Sequence, residues 1–194
     1  MEDRKIRCHK VKGHGSETFV QGIQNSCNPV FINVGLRVGV DGFYNGMKDL
    51  GLMSKTNIDI PGEASTIMHK KETIGLVELA TISFGQSFQI TPIQLITAAC
   101  SVVNGGRLMK PYIVDAVLDP DGNVIEKTKP QVVSLPISQK TSDTMRSLLL
   151  NVVDNGGGKN ASIAGYLIGG KTGTAQVYKN GRVASDVHIG SFIG

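Results

Sequence analysis

The end of the chain limits its fold more than any other stretch. Residues 166–178 and 182–193 read as two extended runs separated by Asn180-Gly181. That dipeptide supplies the positive φ angles a two-residue hairpin turn demands. A chain carrying this signal commits to an antiparallel pair of strands. Side chains alternate along a strand, so Thr172 and Thr174 share one face. The last residues, Ile189-Gly190-Ser191-Phe192-Ile193-Gly194, stop in the middle of a strand pattern. Because an unpaired apolar edge invites aggregation, further strands are expected beyond them, and both ends of the chain read as cut.

Ahead of the hairpin, helical spacing dominates. Phe19, Val20 and Ile23 mark a helix over 17–25, and Pro29 then sits where the next helix starts. Two helices are expected between 30 and 50, split near 39–41, with Asp41 as the second N-cap. Residues 56–63 read as a short extended piece ending at Pro61-Gly62, and 76–84 as a compact apolar segment. Thr91-Pro92 opens a strong helix with Ile93, Ile96, Ala99, Cys100 and Val103 on one side. Asn104-Gly105-Gly106 ends that helix. A hairpin is predicted from 112–118 and 124–127 around Asp119-Pro120-Asp121-Gly122-Asn123. The clearest amphipathic helix covers 138–153, with Met145, Leu148, Leu149, Val152 and Val153 on one face, followed by a glycine-rich loop over 155–160. These alternatives add up to one α+β domain over 1–194, an antiparallel sheet packed with helices.

With 194 residues, 40% of them apolar, the chain is long enough to bury a core. Its 20 basic and 16 acidic residues are spread along the length and leave a net charge of +4, which gives no nucleic-acid signature. Cys8, Cys27 and Cys100 show neither a disulfide framework nor zinc-motif spacing, and the four histidines show no metal-ligand spacing. No metal or cofactor is expected. No apolar run approaches 18 residues and no signal peptide is visible, so a membrane anchor would have to lie outside these residues.

Two short motifs carry the chemistry. Lys171-Thr172-Gly173-Thr174 places a cation and two hydroxyls on a strand, with a glycine that lets another backbone come close. Lys171 offers a charge for a carboxylate, Thr172 and Thr174 can grip one together, and the Thr174 N–H can serve an oxyanion. Far upstream, Ser26-Cys27-Asn28 sets a hydroxyl that can relay a proton beside an amide that can orient a substrate. Taken singly, each motif has a plain reading, a hairpin strand for the first and a helix cap for the second. No serine in the chain is followed three residues later by lysine, so an S-x-x-K nucleophile motif is absent.

Four blocks in order, Gly13–Phe19 (Gly-His-Gly-Ser-Glu-Thr-Phe), 24–31 (Gln-Asn-Ser-Cys-Asn-Pro-Val-Phe), 84–94 (Phe-Gly-Gln-Ser-Phe-Gln-Ile-Thr-Pro-Ile-Gln) and 170–175 (Gly-Lys-Thr-Gly-Thr-Ala), span nearly the whole chain. Together they resemble the transpeptidase domain of class B penicillin-binding proteins, within them the stage V sporulation protein D and division-type enzymes. The resemblance implies a D,D-transpeptidase that cross-links peptidoglycan stem peptides ending in D-Ala-D-Ala through a serine acyl-enzyme and is acylated by β-lactams. It implies Ser26 as proton relay and Asn28 on the substrate amide. It also implies Lys171, Thr172 and Thr174 on the terminal carboxylate, with Gly173 between them. In that family the S-x-x-K segment precedes residue 1, so the chain alone is expected to be inactive. Segment 85–94 is read as a structural join. The parent protein is expected on the extracytoplasmic face of the membrane, with divisome or sporulation cell-wall proteins as partners. A hydrolase of β-lactamase or D,D-carboxypeptidase type and a non-catalytic folded fragment are the competing readings.

Overall fold

A computed structural model describes residues 6–179 and 182–194. Four α-helices, α1 (Phe19–Gln24), α2 (Asn28–Asp49), α3 (Leu76–Ser83) and α4 (Pro92–Val103), come first, and α5 (Gln139–Asn155) separates four short strands from a final strand pair. The strands are β1 (Leu108–Met109), β2 (Ala116–Leu118), β3 (Val124–Lys127), β4 (Val132–Ser134), β5 (Lys171–Lys179) and β6 (Arg182–Ile193). They pair β1 with β4, β2 with β3 and β5 with β6. The chain divides into two compact units. One comprises Met1–Tyr44, Met68–Phe88 and Thr144–Gly194, the other Asn45–Ile67 and Gln89–Asp143.

The first unit holds the hairpin. Its β5–β6 register runs from Lys171 opposite Ile193 to Lys179 opposite Arg182, with an irregularity after Gln176. The expected Asn180-Gly181 turn lies outside the described residues. The strand starts at Lys171, five residues later than expected, because Gly169 and Gly170 fold onto α5. The Gly170 N–H donates to the Leu149 carbonyl at 3.1 Å. A Cβ on Gly169 would meet the α5 backbone at 3.2 Å.

Ile23, Cys27, Leu79, Ala80, Ile82, Val152 and Val153 are buried in this unit. Helix α1 is closed at its start by a capping box between Thr18 and Gln21. Of the residues that mark its helical spacing, Phe19 and Val20 are exposed, and the buried residues of α1 are Gly22 and Ile23. The split near Gly39 is real: Gly39 has φ 75° within α2, a conformation glycine adopts cheaply. Asp41 pairs with Lys71 Nζ at 2.9 Å. A Cβ on Gly35 would lie 1.8 Å from Ser83 Oγ, so α2 and α3 meet backbone to side chain there.

In the second unit, α4 forms where the sequence places it but buries a different side from its apolar one. Its Thr91/Gln94 capping box and first-turn proline are present. The buried residues are Gln94, Ala98 and Ser101, however, while Ile96, Cys100 and Val103 are exposed. Gln94 tolerates full burial because its amide is satisfied: Nε2 donates to the Ser54 carbonyl at 2.7 Å and to Thr66 Oγ1 at 2.8 Å. Residues 56–63 form no strand. Instead the Glu63 carboxylate accepts from the Thr56 N–H, the Thr56 hydroxyl and the Asn57 N–H, folding the segment into a loop. The β2–β3 hairpin forms as expected but from 116, because the N–H groups of Ile113 and Val114 donate to Asp59 rather than to a strand.

Candidate active site

Helix α5 positions both chemical motifs. At its C-terminal end, Gln24 Nε2 donates to the Asn155 carbonyl at 2.9 Å, and Asn151 Nδ2 donates to Gln24 Oε1 at 3.2 Å. The Gly157 N–H reaches the Gln24 carbonyl at 3.3 Å, and no side chain fits at Gly156, where a Cβ would lie 2.4 Å from that same oxygen. Two residues after this anchor the chain reaches Ser26. One turn earlier, α5 offers the Leu149 carbonyl that seats Gly170, the residue before Lys171.

The two anchors bring Ser26 and Lys171 together. Lys171 Nζ donates to Ser26 Oγ at 2.8 Å and to its neighbour's carbonyl, that of Thr172, at 2.8 Å. Two of the three ammonium protons are thereby committed. Burial holds the Lys171 pKa below the ordinary lysine value. Ser26 sits at φ 52°, a left-handed conformation that costs a non-glycine residue about 1 kcal/mol or more. Its N–H donates to the Ile23 carbonyl, and the Cys27 N–H to that of Gly22, so the turn out of α1 enforces the conformation.

Asn28 opens α2 two residues on. Its amide Nδ2 donates to the Arg7 carbonyl at a long 3.4 Å. On β5 the carbonyls of Thr172 and Thr174 accept from side chains, from Lys171 and, at 3.3 Å, from Gln86 Nε2. Gly173's carbonyl instead faces β6, where Ser191 Oγ donates at 3.5 Å. N–H and C=O of one strand residue point the same way, so the Thr174 N–H lies on the edge away from β6. Thr172 is half-buried and Thr174 exposed. A Cβ on Gly173 would sit 2.7 Å from Ser191 Oγ, so a side chain there would displace that hydroxyl.

A model of the penicillin-binding protein transpeptidase domain matches residues 1–194. The chain belongs to this family. Stage V sporulation protein D of Bacillus subtilis is 43% identical over 195 residues, covering 100% of the chain and 30% of that relative. A probable peptidoglycan D,D-transpeptidase, PenA of Neisseria meningitidis, is 30% identical over 90% of the chain and 29% of its own length. Penicillin-binding protein 3 of Mycobacterium tuberculosis, solved in complex with aztreonam, superposes with a TM-score of 0.84 at 28% identity, over 90% of this chain and 41% of that one. The transpeptidase-family chain thus spans about a third of the length of these curated relatives. Among the described residues no helix is long and apolar enough to cross a membrane.

The fold brings two further groups near these residues. Gln86 belongs to the segment taken as a structural join, yet its amide touches the Thr174 carbonyl. The signal was local: Gly85 and Ser87 on either side have φ of 89° and 66°, which turns the chain sharply. Metal spacing was likewise absent from the sequence, yet the fold gathers Cys8, His14 and Cys27. These three come from a loop and the residue before α2, so no spacing along one element announces their meeting.

Proposed function

We propose that this chain supplies the proton-relay and carboxylate-binding half of a serine D,D-transpeptidase site acting on peptidoglycan stem peptides. The observation that carries the reading is the 2.8 Å hydrogen bond from Lys171 Nζ to Ser26 Oγ. It joins the two motifs into one polar unit and leaves Ser26 Oγ free to donate its own proton onward. The nucleophile of such a site belongs to an S-x-x-K motif, which no serine in this chain satisfies.

Each residue then has a distinct task. Ser26, polarised by the Lys171 ammonium, passes a proton between the nucleophile and the leaving amine. Asn28 orients the substrate amide. The hydroxyls of Thr172 and Thr174 take the terminal carboxylate of a D-Ala-D-Ala stem, and Gly173 keeps the strand free of a Cβ where that backbone lies alongside. The outward N–H of Thr174 donates to the tetrahedral oxyanion, a contact whose loss costs about 3–4 kcal/mol in related acyl transfers. Gln86 donates to the carbonyl of the same residue on the same strand edge.

β-Lactams are the expected acylating inhibitors, the extracytoplasmic membrane face the expected site of action, and divisome or sporulation cell-wall proteins the expected partners. The test is acylation by a fluorescent penicillin of a form of the protein that carries an S-x-x-K segment, with and without Ser26→Ala. Equal acylation rates for the two would remove Ser26 from the chemistry.

A further inference from the structure

Ser26 holds a strained backbone at the centre of the proposed site, and such a conformation persists only where its surroundings over-determine it. Backbone hydrogen bonds in the turn out of α1 supply one restraint. A carboxylate supplies a second. Asn25 Nδ2 donates to Glu17 Oε1 at 2.5 Å, and the Cys27 side chain hydrogen-bonds the same carboxylate. Asn25 directly precedes Ser26 and Cys27 directly follows it, so Glu17 holds the chain on both sides of the serine.

Glu17 lies before the Thr18 N-cap of α1, and Asn25 is the C-cap of the same six-residue helix. Their contact therefore closes α1 over its whole length and ties its start to the residue that delivers Ser26. The Glu17 side chain is only 5% exposed, and His14 Nδ1 stands 3.8 Å from its other oxygen, Oε2. A carboxylate enclosed in this way has little room to turn. An N–H that donates to an ionised acceptor also makes a stronger bond than one between neutral groups. The Asn25 backbone N–H is already committed to the Gln21 carbonyl at 2.8 Å, so the side chain is the group that this contact adds.

We propose that Glu17 is a positioning residue for Ser26: by holding Asn25, and with it the turn after α1, it keeps Ser26 Oγ where Lys171 Nζ donates to it at 2.8 Å. Glu17 acts through the residues that flank the serine, an assignment that rests on the proton-relay reading of Ser26. A relay works only within hydrogen-bond reach of both its partners, and a displacement of about 1 Å can cost on the order of 10²-fold in rate. The grip of Thr172 and Thr174 on a carboxylate does not depend on that displacement. Loss of the anchor should thus slow acylation from the bound complex and leave the affinity for a β-lactam unaltered.

The test uses a form of the protein that carries an S-x-x-K segment, with its cysteines kept reduced. It measures the dissociation constant of a fluorescent penicillin separately from the acylation rate at saturation. Asn25→Ala removes the donor at a half-buried position and spares the backbone hydrogen bonds of α1, so the variant should fold. Its saturated acylation rate should fall by about tenfold or more, with the dissociation constant within about twofold of wild type. Glu17→Ala should do the same. Glu17→Gln, whose amide oxygen can still accept from Asn25 Nδ2, should recover most of the rate. In a Ser26→Ala background neither Asn25→Ala nor Glu17→Ala should slow acylation further, because the effect runs through the serine. Additive losses in that background overturn the proposal and leave the Ser26 reading in place. An unchanged saturated rate in Asn25→Ala overturns it as well, as does a loss expressed only as weaker binding. If Ser26→Ala alone acylates at the wild-type rate, the proton-relay reading falls and the role of Glu17 falls with it.

Discussion

Lys171 and Ser26 are 145 residues apart in sequence, and their side chains meet at 2.8 Å. The contact depends on α5, which holds Gln24 at one point of its length and Gly170 at another. The lysine is half-buried and the serine is backbone-strained, so neither group is placed there by its own local preference.

The 194-residue chain by itself should form no covalent adduct with a labelled penicillin, because it contains no S-x-x-K serine. Intact-mass spectrometry after incubation gives the answer. A stoichiometric mass increase would mean that another serine attacks, with Ser26 the first to examine.

In a form that carries an S-x-x-K segment, Lys171→Ala should lower the acylation rate by well over tenfold. Lys129→Ala, at an exposed position before β4, should leave it near the unmutated value. Stopped-flow acylation of both variants decides between a chemical and a general electrostatic role for Lys171.

The pH dependence follows from burial. Because Lys171 has a folded pKa below its unfolded value, its burial costs stability. That cost is fully present below the folded pKa and is lost as pH rises towards the unfolded value near 10.4. Lys171→Met should therefore melt no lower than wild type at pH 7 while losing acylation. If the ammonium form is the active one, acylation by the wild type should fall on the alkaline side before an ordinary lysine titrates. Lys171→Arg, always charged, should remove that alkaline fall even if its overall rate is lower.

Ser26→Gly separates strain from chemistry. Glycine relieves the φ of 52°, so the melting temperature should hold or rise by the equivalent of up to about 1 kcal/mol. Acylation should still drop, since positioned proton transfer contributes roughly 10²–10⁴-fold. Asn28→Ala should slow acylation with little change in melting temperature, since Asn28 lies inside α2 and its amide makes a long 3.4 Å contact to the Arg7 carbonyl rather than a cap. Unmutated rates with lowered melting temperatures in both would reduce the triplet to a helix cap.

Gly156→Ala tests the scaffold. Its Cβ would lie 2.4 Å from the Gln24 carbonyl, so the variant should lose about 1–3 kcal/mol and slow acylation by shifting Ser26. Gly46→Ala, inside α2 with nothing within 4 Å of the added atom, should be neutral or gain about 0.5–1 kcal/mol. Thermal melts of the pair, read beside their acylation rates, check the coupling between helix α5 and the serine.

Local order in this protein is written locally. The caps at Thr18 and Thr91, the glycine break in α2, the Asp119–Asn123 turn and the span of α5 all follow from residues within a turn or two of each other, where backbone hydrogen bonding and φ preference act. The two motifs were also visible as strings, because acyl-transfer chemistry needs particular groups at fixed spacing. What tertiary structure decided is which surfaces and groups are brought together. Helical periodicity in α4 marked an apolar arc, but the chain covered Gln94, Ala98 and Ser101 instead, because Ser54 and Thr66 satisfy the Gln94 amide. The meeting of Ser26 with Lys171 and the placing of Gln86 on the β5 edge likewise depend on segments distant in sequence. Spacing along a chain cannot encode such meetings, since each is set by how the intervening elements pack.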